Sequence, residues 1–359
     1  MERKSKAAAP PNARPKLSWG RKLTFAVLTG VLFFVVVEGL LRVSGFQVVS
    51  DVQQMQFTFP IDDYNNNAPE PFLRRDRELF WTPRPGVVGH NSMGFYGPEF
   101  SQVKPEDVFR IVCLGDSCTH FGPQSYPEIT QSLLRERLEN DRIEVINAGV
   151  IGYTSYQGLT LMRTRVPRWQ PDVVTVYFGW NDHWLSRGLE DKDQTGASPS
   201  SIDTLLGGLR SVQLAEMLTR GWRAGGSVPV RVSLQDYREN LIAIADQCDA
   251  IGSETVFLTA PHAMDLSIPE YLLTSGEVAD ASQLIPLHQS YNAVVREVAA
   301  ETDSGLIDLA AQIDQVDKLP LFIDDHIHLT LAGRQYVAEQ IAGQVAAEAI
   351  EQASAQREQ

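Results

Sequence analysis

Phe109-Arg110-Ile111-Val112-Cys113-Leu114-Gly115-Asp116-Ser117 is the stretch that decides the fold. Its apolar run is too short for a helix and stops at a Gly-Asp-Ser turn, the mark of a buried strand that delivers polar residues at its carboxyl end. The same signature recurs at residues 143–147, ahead of Ala148-Gly149-Val150-Ile151-Gly152, and at residues 173–178, ahead of Gly179-Trp180-Asn181-Asp182. Further strands are predicted at 254–258 and 305–308. Amphipathic helices are predicted near 127–140, 155–166, 233–251, 285–302 and 331–350. Strands that alternate with helices imply an α/β fold with a parallel sheet and right-handed crossovers.

In such a sheet the site forms outside the carboxyl ends of the strands, which is where every polar block falls. A fourth block, Asp325-His326-Ile327-His328, stands 208 residues after Ser117. A serine hydroxyl is too weakly acidic to attack an ester unaided. Ser117 therefore needs a base, for which His328 is the candidate, and Asp325 can fix that imidazole's tautomer. Oxyanion charge would be met by the backbone N–H of Ser117, the backbone N–H of Gly152 and the side-chain amide of Asn181. Taken singly, Ser117 suits a helix cap, Gly152 a turn and Asn181 an Asx turn. Their joint occurrence points to a site. His120 and His183 lie beside the blocks and are read as substrate contacts or as support for the site residues rather than as bases, Trp180 is a candidate substrate contact with packing as the alternative, and Asp116 is read as stabilising its turn. Asp324, Asp325, His326 and His328 would make a metal site only with a second cluster, which the chain does not offer.

On these residues the chain resembles the SGNH (GDSL) hydrolase superfamily over residues 109 to about 350. Gly115-Asp116-Ser117 corresponds to the nucleophile block, Gly152 to the glycine block, Gly179-Trp180-Asn181-Asp182 to the Gly-x-Asn-Asp block and Asp325 to His328 to the Asp-x-x-His block. The resemblance implies a flavodoxin-like three-layer α/β/α sandwich with a five-stranded parallel sheet, acting on esters without a metal or other cofactor. A G-x-S-x-G elbow is lacking, which counts against the α/β-hydrolase fold. Leu329-Thr330 stands where many relatives have Pro after the histidine, a variant that leaves the triad intact.

The remaining sequence sets the context. The 359 residues are 43% hydrophobic and carry a net charge of −14. Residues 1–22 hold seven Lys or Arg and one acid, so removing their +6 leaves −20 on the rest. An acidic body of this kind argues against nucleic-acid partners. Cys113, Cys118 and Cys248 form an odd set without ligand spacing, expected to pack as small hydrophobes.

Residues 23–41 are apolar except for Glu38 and long enough to cross a bilayer. The basic flank ahead of them predicts a retained, single-pass signal anchor in the cell membrane, with residues 1–22 as a cytoplasmic tail. Membrane lipid is then a partner, and the catalytic domain is extracytoplasmic. Residues 42–107 read as an irregular stalk, 108–350 as the hydrolase domain, 185–229 as a lid-like insertion within it, and 351–359 as a disordered tail. An outward-facing anchored form resembles bacterial members that work on cell-envelope or exported polysaccharide. The expected activity is hydrolysis of small acyl esters, such as acetyl, on a glycan through an acyl-serine. The alternatives are an O-acetyltransferase with the same triad, whose acyl-transfer partner the sequence does not name, and a non-catalytic anchored glycan-binding protein.

Overall fold

The computed structural model describes residues 18–46 and 73–357, except 77, 88, 121, 123, 187–189, 195–208, 224–228, 275–277 and 279. Much of the predicted stalk and insertion, and residues 1–17 of the tail, therefore lie outside the described residues. Contacts divide the chain into two units, one of residues 1–48 with 201–218 and the other holding the rest.

The first unit contains α1, Trp19–Val43, whose apolar window has a mean hydropathy of 2.3 and no buried residue. Helix length and composition match a membrane span. Glu38, the one acid in the predicted span, is not left alone. It pairs with Arg42 at 2.7 Å, one turn on, and accepts from the backbone N–H of Arg210 at 3.1 Å and of Ser211 at 2.9 Å. Those residues begin a helix, Arg210–Arg223, within the insertion. A carboxylate at a helix amino terminus satisfies N–H groups that have no intrahelical acceptor.

The second unit is built on five parallel strands. These are β3 (Phe109–Gly115), β4 (Ile143–Gly149), β5 (Val173–Tyr177), β6 (Glu254–Leu258) and β7 (Gly305–Ile307), in the spatial order β4-β3-β5-β6-β7. The sequence reading placed each of them within two residues at either end. β3 is buried along its whole length because both faces are covered. Ile111 and Cys113 pack with Leu134, Val337 and Ile341, while Val112 and Leu114 pack with Leu161, Ile244 and Val298. That alternation follows from the period of two in a strand and gives the three layers. All three cysteines are free and buried in these layers. Arg110, the one charge in β3, has its guanidinium bound to Glu144, its neighbour across the sheet, at 2.6 Å and to the Trp169 carbonyl at 2.6 Å.

Some elements depart from the sequence reading. The segment ahead of β3 is not wholly irregular, since β1 (Leu73–Asp76) and β2 (Phe80–Pro83) pair as an antiparallel hairpin. The helix expected from 285 begins at Ala281, because the Asp280 side chain caps it by accepting from Ser282 N–H at 2.9 Å, and Pro286 then falls inside the helix. The last helix, Leu331–Arg357, continues past residue 350 into the predicted disordered tail.

Candidate active site

β3 lies between β4 and β5, so the chain's direction of travel across the sheet reverses there, which in open parallel sheets is where ligands bind, outside the carboxyl ends of the strands. Ser117 follows β3 at the start of a single helical turn, Ser117–His120. Close packing fixes that turn. Gly115 and Gly149 are paired across β3 and β4, and a Cβ on Gly149 would stand 2.5 Å from the His120 nitrogen. The Asp116 carbonyl accepts from Thr119 and His120 N–H at 3.2 and 3.0 Å, and its carboxylate accepts from Cys118 N–H at 2.8 Å. Asp116 thus stabilises the turn, as expected, and burial pushes its carboxyl up to about 6.

The Asp-x-x-His block meets this turn from the other end of the sequence. His328 Nε2 lies 2.7 Å from Ser117 Oγ, and His328 Nδ1 lies 2.5 Å from Asp325 Oδ2. The second carboxylate oxygen, Oδ1, accepts from the N–H of Ile327 at 2.9 Å and of His328 at 2.8 Å. His326 has a left-handed backbone, φ 61°, which bends the loop back on itself, and its carbonyl accepts from Ala263 N–H. Burial disfavours a charged His328, but the Asp325 carboxylate, aided by Asp116, outweighs it and raises the imidazole above its ordinary value. Burial likewise opposes charge on Asp325, and His328 with the two backbone donors brings its carboxyl below the usual range.

Gly152 has φ 77°, a conformation that L side chains rarely adopt. Among the described residues its N–H and that of Ser117 donate to no other backbone group. Asn181 is brought to the same place, with its amide nitrogen 3.0 Å from the Tyr153 carbonyl and 3.2 Å from Asp116 Oδ2. Asp182, the next residue, is fully buried and accepts from Ser155 N–H at 2.9 Å and Ser155 Oγ at 2.6 Å, tying the third block to the helix after the second. Burial pushes its carboxyl up to about 7.

The three predicted substrate contacts are placed differently. His120 is buried, with Nδ1 3.1 Å from the Gly149 carbonyl and its ring 5.2 Å from that of His90. Trp180 stacks on His288 with ring centroids 3.8 Å apart, and His183 Nε2 lies 3.0 Å from His288 Nδ1. Since His288 Nε2 is 2.7 Å from the Ala260 carbonyl and must donate to it, Nδ1 accepts from His183. Trp180 and His183 are therefore parts of a buried aromatic stack. Sequence reasoning did not single out His288. Its signal was a polar residue on the apolar stripe of its helix, between Leu284 and Tyr291.

The profile of the GDSL-like lipase/acylhydrolase family matches residues 113–336. The chain belongs to this family. It is accordingly an enzyme of the carboxylic ester hydrolase class. No curated protein matches it. Among solved structures it is similar to a lipase/acylhydrolase from Enterococcus faecalis, at 18% identity and TM-score 0.45, over 67% of this chain and 97% of that one. It is also similar to a variant of an acetyl xylan esterase from Geobacillus stearothermophilus, at 18% identity and TM-score 0.44, over 67% and 95%.

Proposed function

We propose that this GDSL-family hydrolase cleaves esters through an acyl-enzyme on Ser117. The supporting observation is the continuous hydrogen-bonded line from Asp325 through His328 to Ser117, joining residues 208 apart in the chain. In the proposed sequence Ser117 Oγ attacks the ester carbonyl carbon while His328 Nε2 takes its proton. The resulting imidazolium is stabilised by Asp325. The oxyanion accepts hydrogen bonds from the N–H groups of Ser117 and Gly152 and from the Asn181 hydrogen now directed at Asp116. Collapse breaks the bond to the alcohol, which leaves with the proton from His328. Water, deprotonated by the same imidazole, then releases the acid and restores Ser117.

Ser117 is only 5% exposed and His328 7%, which favours a small acyl group such as acetyl over a long chain. The basic flank and exposed apolar surface of α1 support a membrane anchor with the hydrolase domain outside the cytoplasm. A substrate class that fits both is the acetylated glycan of the envelope or of an exported polymer. The test is hydrolysis of p-nitrophenyl acetate by the full chain in detergent micelles, with fluorophosphonate labelling in parallel. Ser117→Ala is expected to lose both, and retention of either by that variant overturns the acyl-serine reading.

A further inference from the structure

The loop that presents Gly152 is shaped in part by two residues, Trp81 and Arg231, that belong to none of the four blocks. Each of its carbonyls is tied back. Val150 O accepts from Tyr153 N–H at 3.1 Å, Ile151 O from the Trp81 indole N–H at 3.0 Å, Gly152 O from an Arg231 Nη at 2.7 Å and Tyr153 O from Asn181 at 3.0 Å. The bond to Ile151 O has a particular consequence. The Ile151 carbonyl and the Gly152 N–H belong to one planar trans peptide, in which the two point in opposite directions. Holding the oxygen against Trp81 therefore aims the Gly152 N–H away from Trp81.

Trp81 is well placed to hold it. It lies in β2, 2% exposed, and its own carbonyl accepts from Tyr153 Oη at 2.7 Å. The Arg231 guanidinium sits 5.7 Å from the centre of its ring. Gln157, from the helix after the loop, donates to the Leu79 carbonyl at 2.8 Å and so fixes the turn that leads into β2. The hairpin precedes residue 113, where the family match begins.

The geometry points to Trp81 as a positioning residue for the oxyanion-stabilising N–H of Gly152, which makes the hairpin ahead of the family core a working part of the site. This rests on the acyl-serine reading above. Removal of the indole N–H leaves Ile151 O a buried acceptor without its donor and frees the peptide to rotate, and a misaimed donor loses most of its value at the transition state.

Trp81→Phe keeps an aromatic ring and removes the N–H. In the full chain it is expected to lower kcat for p-nitrophenyl acetate by about 10-fold to 100-fold with KM nearly unchanged. The matching thionoester, whose sulfur is a poor hydrogen-bond acceptor, gains little from the oxyanion donors. Its rate should fall less, so the preference for oxygen over sulfur shrinks. Equal losses on both esters, or an unchanged kcat, would overturn the positioning role. Where Trp81→Phe does not fold, β-(3-benzothienyl)alanine placed at position 81 keeps the bicyclic ring without the N–H and is read in the same way. Ser117→Ala run alongside separates the two ideas. If it stays active the acyl-serine reading fails and this inference with it, whereas an inactive Ser117→Ala beside a fully active Trp81→Phe sinks the inference alone.

Discussion

Asp325→Asn should be more damaging than its conservative appearance suggests, and the structure gives the reason. The carboxylate makes three bonds: Oδ1 accepts from the N–H of both Ile327 and His328, and Oδ2 faces His328 Nδ1. An amide has one oxygen. Turning its NH2 toward the two backbone donors would forfeit two hydrogen bonds and set donors against donors, at about 1–3 kcal/mol for each group left unsatisfied. The amide oxygen therefore stays on the backbone, and the NH2 points at His328 Nδ1. That nitrogen must then be an acceptor, which moves the imidazole proton to Nε2, the atom that has to take the proton of Ser117. The wrong tautomer is held in place by local main-chain geometry. A loss of about 10⁴ in kcat is expected, as in serine proteases with the same change. Asp325→Ala removes the amide as well and leaves the imidazole free to exchange tautomers, so it should be the more active of the two. The assay is kcat on p-nitrophenyl acetate between pH 5 and 9 (a working range of about four units that spans the ordinary histidine value), together with the second-order rate of fluorophosphonate labelling. An Asp325→Asn enzyme within about tenfold of wild type, or one faster than Asp325→Ala, would refute the tautomer argument.

Two further outcomes follow from burial and packing. Gly149→Ala puts a Cβ 2.5 Å from the His120 backbone nitrogen and 2.6 Å from Thr119 Cβ, so the Ser117 turn must shift. Overpacking of this kind is expected to cost about 1–3 kcal/mol in urea denaturation and to lower kcat with it. Buried imidazoles contribute to the pH dependence of stability. Burial holds His90, His120 and His183 down to about 4, 3 and 3, and His288 well below its ordinary value. Below pH ~6.5 the unfolded chain binds the protons that these four refuse, so their stability is lost on acidification, by about 2 kcal/mol each at pH 5 for His90, His120 and His183. Asp116 and Asp182, raised by burial to about 6 and about 7, act in the opposite sense, as does His328. The carboxylates recover about 4 kcal/mol between pH 7 and pH 5, so the imidazoles prevail and the urea midpoint should fall over that range.

How much was legible in the sequence can be seen in particular residues. β3, β4 and β5 were readable because both faces of a central parallel strand are buried, which writes a short unbroken apolar run into the chain. The polar blocks were readable because they follow those runs directly. The β1–β2 hairpin was not, since four-residue strands containing Arg74, Arg75 and Asp76 carry no such run. Trp180 and His183 looked like candidates for the site from their neighbours in sequence, yet their side chains turn into a stack with His288, over a hundred residues away.

The sequence by itself determined the order of strands and helices, the apolar span near the amino terminus, and which residues are the candidate nucleophile, base and orienting acid, because each is encoded in local periodicity or residue type. Only the tertiary structure decided that Glu38 meets the start of the helix at Arg210, that the Asn181 amide is shared between Tyr153 and Asp116, and that Trp81 holds the peptide of Gly152. In the first and last of these, one partner is a main-chain group that every residue possesses, and the two ends are 172 and 70 residues apart. A hydrogen bond to a backbone atom leaves no trace in residue type at that end, so such contacts exist only once packing has brought the chain together.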